Sequence, residues 1–247
     1  SAAAQKPAKI PRIGFLRSGS AADAALFGEI LRQGLRDLGY IDGQTIRIET
    51  RVAEGNYDRL PALAAELVRL QVDIVVAGGT PAIRAAKQVT STIPIVMSVS
   101  TDPVGAGLVA SLGRPGGNVT GVSLGIGEQF AGKWVELLKE AVPQVSRVAV
   151  LSDPPTIGPS VLLPIVRETE RAASSLGLQL QLLEARTAKE IESAFAAMTS
   201  AGAKALVVLP SGRLNAERKR IVELAAKHRL PAMYIHRTYV EAGGLMS

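Results

Sequence analysis

Two kinds of apolar pattern alternate along the chain, and their alternation predicts the fold class. Short runs rich in Val, Ile and Leu, such as residues 12–16, 72–77 and 147–151, predict buried strands. Longer stretches with apolar residues three or four positions apart, such as residues 22–38 and 160–176, predict helices, each followed by a glycine. Strands that alternate with helices indicate an α/β protein with parallel sheets flanked by helices.

The order of elements in the first half of the chain recurs in the second half. Val75-Val76 corresponds to Val207-Val208, and Pro94 corresponds to Pro231, at a nearly constant separation. This recurrence predicts two similar Rossmann-like lobes, lobe one at 10–123 and lobe two at 124–246. The Gly-rich stretch at residues 114–118 predicts a hinge between them.

Composition narrows the function classes. The 247 residues carry a net charge of +6, but the basic residues are scattered along predicted helices and lack interleaved aromatic residues. That distribution favours solvated helix faces over nucleic-acid binding, including for the cluster of Arg213 and residues 218–220. The absence of cysteine excludes disulfides, thiolate metal sites and cysteine nucleophiles.

Motifs for catalysis are incomplete or missing. Residues 127–134 fall one position short of a P-loop, because Trp134 stands where a Ser or Thr hydroxyl is needed for magnesium. No dinucleotide fingerprint or nucleophile elbow occurs, and His228 and His236 lack metal-ligand spacing. The sequence therefore predicts a binding protein without catalytic residues, metal or cofactor, with an enzyme of the same fold as the alternative.

Small polar residues follow most predicted strands. In open parallel sheets, ligands bind at the carboxyl ends of the strands, so two facing lobes predict a polar binding cleft between them. The candidate ligand-binding residues are Ser18, Gly19, Ser20, Gly79, Thr80, Ser100, Thr101, Asp102, Ser152, Asp153, Ser211, His236 and Arg237.

The expected ligand is a small carboxylate, either an amino acid or an aromatic acid. Thr80 and its neighbouring amides begin a predicted helix, where the helix dipole favours an anion, although ordinary N-capping by Thr80 would give the same pattern. Arg237 is expected across the cleft, where it could bind a carboxylate through two hydrogen bonds. Nucleosides and sugars remain the alternative ligands.

Several stretches together resemble the ABC-transporter substrate-binding family related to tryptophan/tyrosine-binding proteins. The resemblance runs from about Ile10 to Ser247 and includes LRQGLRDLGY at 31–40, AEGNYDRL at 53–60, GTPA at 79–82, DPVGAGLV at 102–109, RPGGNVTG at 114–121 and EAGGLMS at 241–247. It implies a type 1 periplasmic-binding-protein fold, export to the periplasm, and a monomer that delivers its ligand to a permease in the inner membrane. It also implies ligand contacts from Ser18–Ser20, Gly79-Thr80 and Ser100-Thr101.

Two departures from the family pattern accompany this resemblance. Family members continue for several dozen residues beyond the position of Ser247, so we expect a C-terminal segment, absent here, to complete lobe one. The loop at Ser152-Asp153 replaces an expected Asn-Pro loop, which bears on the identity of the ligand.

The small, polar residues 1–9 are expected to be a tether left after removal of a signal peptide. A gene regulator of the same fold is the remaining binding-protein alternative; such regulators carry a helix-turn-helix ahead of the first strand, whereas about nine residues precede Ile10 in this sequence.

Overall fold

A computed structural model describes residues 10–125, 128–154 and 159–247. The predicted tether at 1–9 and Gly127, which opens the P-loop-like segment, lie outside the described residues. The chain divides into unit 1, which includes residues 10–99 and 108–122, and unit 2, which comprises 100–107 and 123–247. Within the described ranges, no helix is both long and apolar enough to cross a membrane.

Unit 1 is built on a five-stranded parallel sheet in the order β2-β1-β3-β4-β5. The strands are β1 (Arg12–Arg17), β2 (Arg47–Val52), β3 (Ile74–Gly78), β4 (Ile95–Val99) and β5 (Val119–Gly121). Its helices are α1 (Ala21–Asp37), α2 (Leu60–Arg69) and α3 (Thr80–Val89), and a short 3-10 helix at Tyr57–Arg59 leads into α2.

The core of unit 1 forms where helices pack on the central strands. Phe15, Leu16 and Ile95 are buried in the sheet, and Leu67 of α2 is buried against it. The contact between α2 and β1 is close because Gly14 has no side chain: a Cβ there would lie 3.0 Å from a Leu67 methyl carbon. Aliphatic residues suit this role, since parallel strands covered by helices are buried on both faces.

Unit 2 repeats this arrangement with a four-stranded parallel sheet in the order β7-β6-β8-β9. The strands are β6 (Arg147–Ser152), β7 (Gln179–Glu184), β8 (Ala205–Val208) and β9 (Ala232–Met233). The helices are α4 (Glu128–Ala141), α5 (Pro159–Ser175), α6 (Ala188–Ser200), α7 (Gly212–Ala216), α8 (Arg218–Lys227) and α9 (Arg237–Glu241). The two sheets share a strand order: from one edge, the strands are the second, first, third and fourth of that unit along the chain. The predicted α/β fold class is confirmed.

Alternate residues of β6 and β8 belong to different cores. Leu151 and Val208 lie in a core with α6 and α8, whereas Val150 and Val207 lie in a core with α4 and α5. This follows from the two-residue period of strands, which sends successive side chains to opposite faces.

One sequence-based expectation, the hinge at residues 114–118, differs from the structure. The stretch at 114–118 lies inside unit 1, where Ala110 N–H donates to Pro115 O at 2.9 Å, so it forms a local turn rather than a crossing between units. The chain passes between units at 99–100, 107–108 and 122–123.

Candidate functional site

The loop after β1 brings its hydroxyl groups into the backbone of the neighbouring elements. Ser18 is buried, and its hydroxyl donates to Gly78 O at 3.2 Å at the end of β3. Ser20 is the N-cap of α1: its Oγ accepts from Asp23 N–H at 3.1 Å and donates to the Asp23 carboxylate at 2.8 Å. Gly19 is buried between them. Of this predicted trio, Ser20 has a structural role as a cap.

The loop after β3 leads directly into α3. Gly79, not Thr80, is the N-cap residue, so the alternative explanation, in which the Thr80 side chain caps the helix, does not hold. Gly79 has a φ of 93°, which only glycine adopts readily, and a Cβ there would lie 2.1 Å from Ser18 Oγ. Thr80 is the first residue of the helix and is buried. The structure therefore brings two of the predicted ligand-binding residues, Ser18 and Gly79, together at the start of α3.

A buried arginine at this edge was missed by the sequence analysis. Arg17 ends β1 and is only 6% exposed, and its Nη1 donates to Ser98 Oγ at 3.1 Å. Burial lowers the pKa of Arg17 to about 10, while the nearby Asp23 carboxylate acts in the opposite direction. The sequence did carry a signal for this residue: Arg17 is a single charged residue that directly follows an apolar strand, whereas the other polar residues at strand ends are mostly small.

Ser98 reaches Arg17 because the pairing of β3 with β4 is irregular. Ala77 pairs with Met97 and Gly78 with Val99, so Ser98 is the extra residue of a bulge. Bulges redirect side chains and occur next to functional sites. The Ser98 hydroxyl also donates to Ala77 O at 3.3 Å.

The predicted site residues after β4 belong to unit 2 rather than to lobe one. Ser100 and Thr101 are buried, and their carbonyl oxygens both accept from the Ser123 hydroxyl at 3.2 Å. Asp102 accepts from the backbone N–H groups of Val104 and Gly105 at 3.1 and 2.9 Å, which closes a local turn. The Ser123 bonds connect residues 100–107 to the rest of unit 2.

The carboxyl edge of the unit 2 sheet carries a buried ionic network. The Asp153 side chain is 0% exposed and pairs with Arg213 Nη1 at 3.0 Å. Ser211 donates to the other carboxylate oxygen at 2.9 Å and is also the N-cap of α7. Ser152 is buried beside them, and its hydroxyl donates to Leu183 O at 3.3 Å. Two predicted residues, Asp153 and Ser211, meet here, but the assignment of Arg213 to a solvated basic face is wrong.

The two remaining candidates lie after β9. His236 is half-buried and is the N-cap residue of α9. The Arg237 side chain is 87% exposed and pairs with Glu241 one turn along the same helix at 3.1 Å. A solvated arginine paired on its own helix lacks the burial that strengthens a carboxylate contact.

The features that suggested other chemistry have structural roles. Lys133 of the P-loop-like segment lies within α4 and pairs with Glu136, while Trp134 is buried in the core of unit 2. In the described part of the chain, no group of three or more His, Cys, Asp or Glu side chains could hold a metal ion. In each unit, polar side chains lie at the carboxyl edge of a parallel sheet. Such an edge is suited to binding a small polar molecule.

Two α/β units, each with a parallel sheet and polar strand ends, define the class of protein to which this chain belongs. Residues 16–247 match the family described as ABC transporter substrate binding protein, and the chain belongs to that family.

Individual relatives share the sequence or the fold. The tyrosine-binding protein of Clostridioides difficile (strain R20291) is 38% identical over 119 residues, which cover 48% of this chain and 34% of that protein. A crystal structure of an ABC domain from Streptococcus pneumonia in complex with L-Trp is 30% identical, with a TM-score of 0.83 over 95% of this chain and 77% of that one. A conserved domain protein from Vibrio cholerae O1 biovar El Tor str. N16961 is 26% identical, with a TM-score of 0.85 over 96% and 78%. The chain thus spans about one third of the tyrosine-binding relative.

Proposed function

We propose that this chain is the extracytoplasmic ligand-binding component of an ABC importer, and that it binds a small carboxylate-bearing ligand, an amino acid or an aromatic acid. It passes the ligand unchanged to a permease in the membrane, as a monomer without enzymatic activity. The carrying observation is the edge of the unit 1 sheet, where Ser18, Gly79 and Thr80 meet at the start of the ten-residue helix α3.

The chemistry of this edge supports a carboxylate ligand. The first N–H groups of a helix carry partial positive charge, which stabilises a negative group placed near them. Gly79 allows the Ser18 hydroxyl to lie at the start of α3, because a Cβ at Gly79 would be 2.1 Å from Ser18 Oγ. The Thr80 hydroxyl adds a polar group at the same point.

The relatives support the ligand class. One is named a tyrosine-binding protein, and another was crystallised with L-Trp. Both ligands are aromatic amino acids, which combine a carboxylate with a large apolar side chain. The predicted contributions of the unit 2 edge, from Ser152 and Ser211 among others, stay part of the same proposal.

Thermal denaturation with a panel of ligands tests the proposal. We expect L-tryptophan, L-tyrosine or an aromatic acid to raise the melting temperature, because a ligand at 100 times its Kd stabilises the folded state by about 2.7 kcal/mol. Glucose and adenosine serve as neutral probes. Stabilisation by these neutral probes alone would contradict the proposal, and so would chemical conversion of the bound ligand detected by mass spectrometry.

A matched pair of variants locates the site. Thr80→Val removes a buried hydroxyl at the start of α3, and we expect roughly tenfold weaker binding of the stabilising ligand. Thr169→Val removes a buried hydroxyl of α5 that donates to Ile165 O at 2.7 Å. The control should lower the melting temperature but leave the ligand's Kd unchanged. Equal effects of both variants on Kd would move the binding site away from α3.

A further inference from the structure

Arg17 is a cation in a position that its neighbours only partly explain. Arginine is rarely this deeply buried unless it is paired. Its Nη1 donates to Ser98, but its buried Nε has no hydrogen-bond partner. The Asp23 carboxylate is near enough to influence the guanidinium, although burial has the larger effect on its pKa. A buried donor left without a partner costs free energy, which suggests that something else completes the site.

The guanidinium is held in place by packing against two neighbours. It lies over the ring of Phe27 at 4.2 Å from the centroid, in cation–π geometry. It also lies against Gly78, where a Cβ would be 1.6 Å from Arg17 Nη1. Gly78 must therefore lack a side chain for the arginine to take this position, and the guanidinium is pre-organised before any ligand arrives.

The electrostatics of this position favour an anion. Gly78 immediately precedes Gly79, the N-cap of α3, so a buried cation lies beside the positive end of a helix. The guanidinium and the helix N-terminus are both positive, and the Asp23 carboxylate is the negative group that favours the charged form of Arg17. With a pKa of about 10, Arg17 keeps its proton at neutral pH. A carboxylate at this point would meet two sources of positive charge in a partly desolvated environment, where such interactions are strengthened.

We infer that Arg17, oriented by Ser98 and Phe27, binds the carboxylate of the ligand and selects acids over derivatives in which a neutral amide replaces the carboxylate. This inference rests on the proposed function and gives it a specific residue. Arginine suits the role, because its planar guanidinium donates two parallel hydrogen bonds to a carboxylate. In this proposal Arg17, rather than Arg237, is the arginine that binds the carboxylate.

The test compares two ligands that differ only in the charged group. Isothermal titration with L-tryptophan and L-tryptophanamide, and with L-tyrosine and L-tyrosinamide, measures the acid-to-amide preference of the wild type. Arg17→Met keeps most of the side-chain volume but removes the charge. We expect roughly 10- to 100-fold weaker binding of the acid and little change for the amide, as charged hydrogen bonds are lost. Arg12→Met, at the opposite end of β1, is the control and should leave the preference unchanged.

Two further variants keep the inference testable if Arg17→Met is poorly folded, as judged by circular dichroism. Arg17→Lys keeps the charge without the planar fork and should retain part of the preference. Ser98→Ala removes the hydroxyl that orients the guanidinium and should weaken acid binding several-fold while sparing the amide.

The outcomes separate the two proposals. If the wild type binds the acids and Arg17→Met weakens acid and amide equally, Arg17 has only a structural role and this inference is wrong, while the proposed function stands. An unchanged preference in a folded Arg17→Met protein has the same meaning. If neither acid binds the wild type, the proposed function fails and the inference fails with it.

Discussion

The ion pair between Asp153 and Arg213 allows a quantitative test of the electrostatics in unit 2. The two side chains differ in exposure: Asp153 is 0% exposed and Arg213 is 18% exposed. Arg213→Met therefore leaves a carboxylate that cannot reach water, at a cost of about 3–5 kcal/mol in the free energy of unfolding. Asp153→Asn leaves an arginine that can turn towards solvent, so we expect a smaller loss of about 1–2 kcal/mol.

Urea denaturation followed by tryptophan fluorescence measures this asymmetry. Trp134 is the only tryptophan in the sequence and lies in the core of unit 2, so its emission reports on that unit. The double variant Asp153→Asn/Arg213→Met should lose less than the sum of the single losses, by about 1–3 kcal/mol, because the two groups interact directly.

An exposed ion pair provides the control for this cycle. Arg220 pairs with Glu192 at 2.6 Å and Glu217 at 3.1 Å, and all three side chains are solvated. Arg220→Met should leave the unfolding free energy essentially unchanged, since surface pairs contribute little. The reasoning is refuted if Arg213→Met and Arg220→Met have similar effects, or if the Asp153–Arg213 cycle is additive.

Two further predictions concern backbone geometry and ionisation. Gly121 has a φ of 133°, and a Cβ there would lie 2.3 Å from Met97 O, so Gly121→Ala should cost about 2–3 kcal/mol and lower the melting temperature seen by circular dichroism. Gly113→Ala, with nothing within 4 Å of the added Cβ, should melt like the wild type, and equal melting of both variants would contradict the prediction. Burial raises the pKa of Tyr234 from 10.0 to about 12, because the phenolate is poorly solvated. The stability from this group is fully present below pH 10 and is lost as the pH rises through about 12, so tyrosinate absorbance should show a late ionisation that Tyr234→Phe removes. A difference curve centred near pH 10 would show that Tyr234 is solvated.

The local pattern of the sequence was enough to predict most elements of the fold. Each strand and helix has its own periodicity, and a parallel sheet follows from their alternation. The recurrence of Val75-Val76 as Val207-Val208 likewise identified the third strand of each sheet. Polar residues at strand ends could also be found, because the carboxyl edge of a parallel sheet is defined by strand direction alone. Ser18 and Gly79 were predicted in this way and are neighbours in the structure.

Which of these side chains meet could be decided only by the tertiary structure. Arg17 and Ser98 are 81 residues apart and Asp153 and Arg213 are 60 residues apart, and no local pattern links either pair. Their contacts depend on strand order and on the bulge that places Ser98 opposite β3. The same holds for Arg213 and Arg237, whose roles the sequence could not separate, because burial depends on what packs around a charge rather than on its neighbours in the chain.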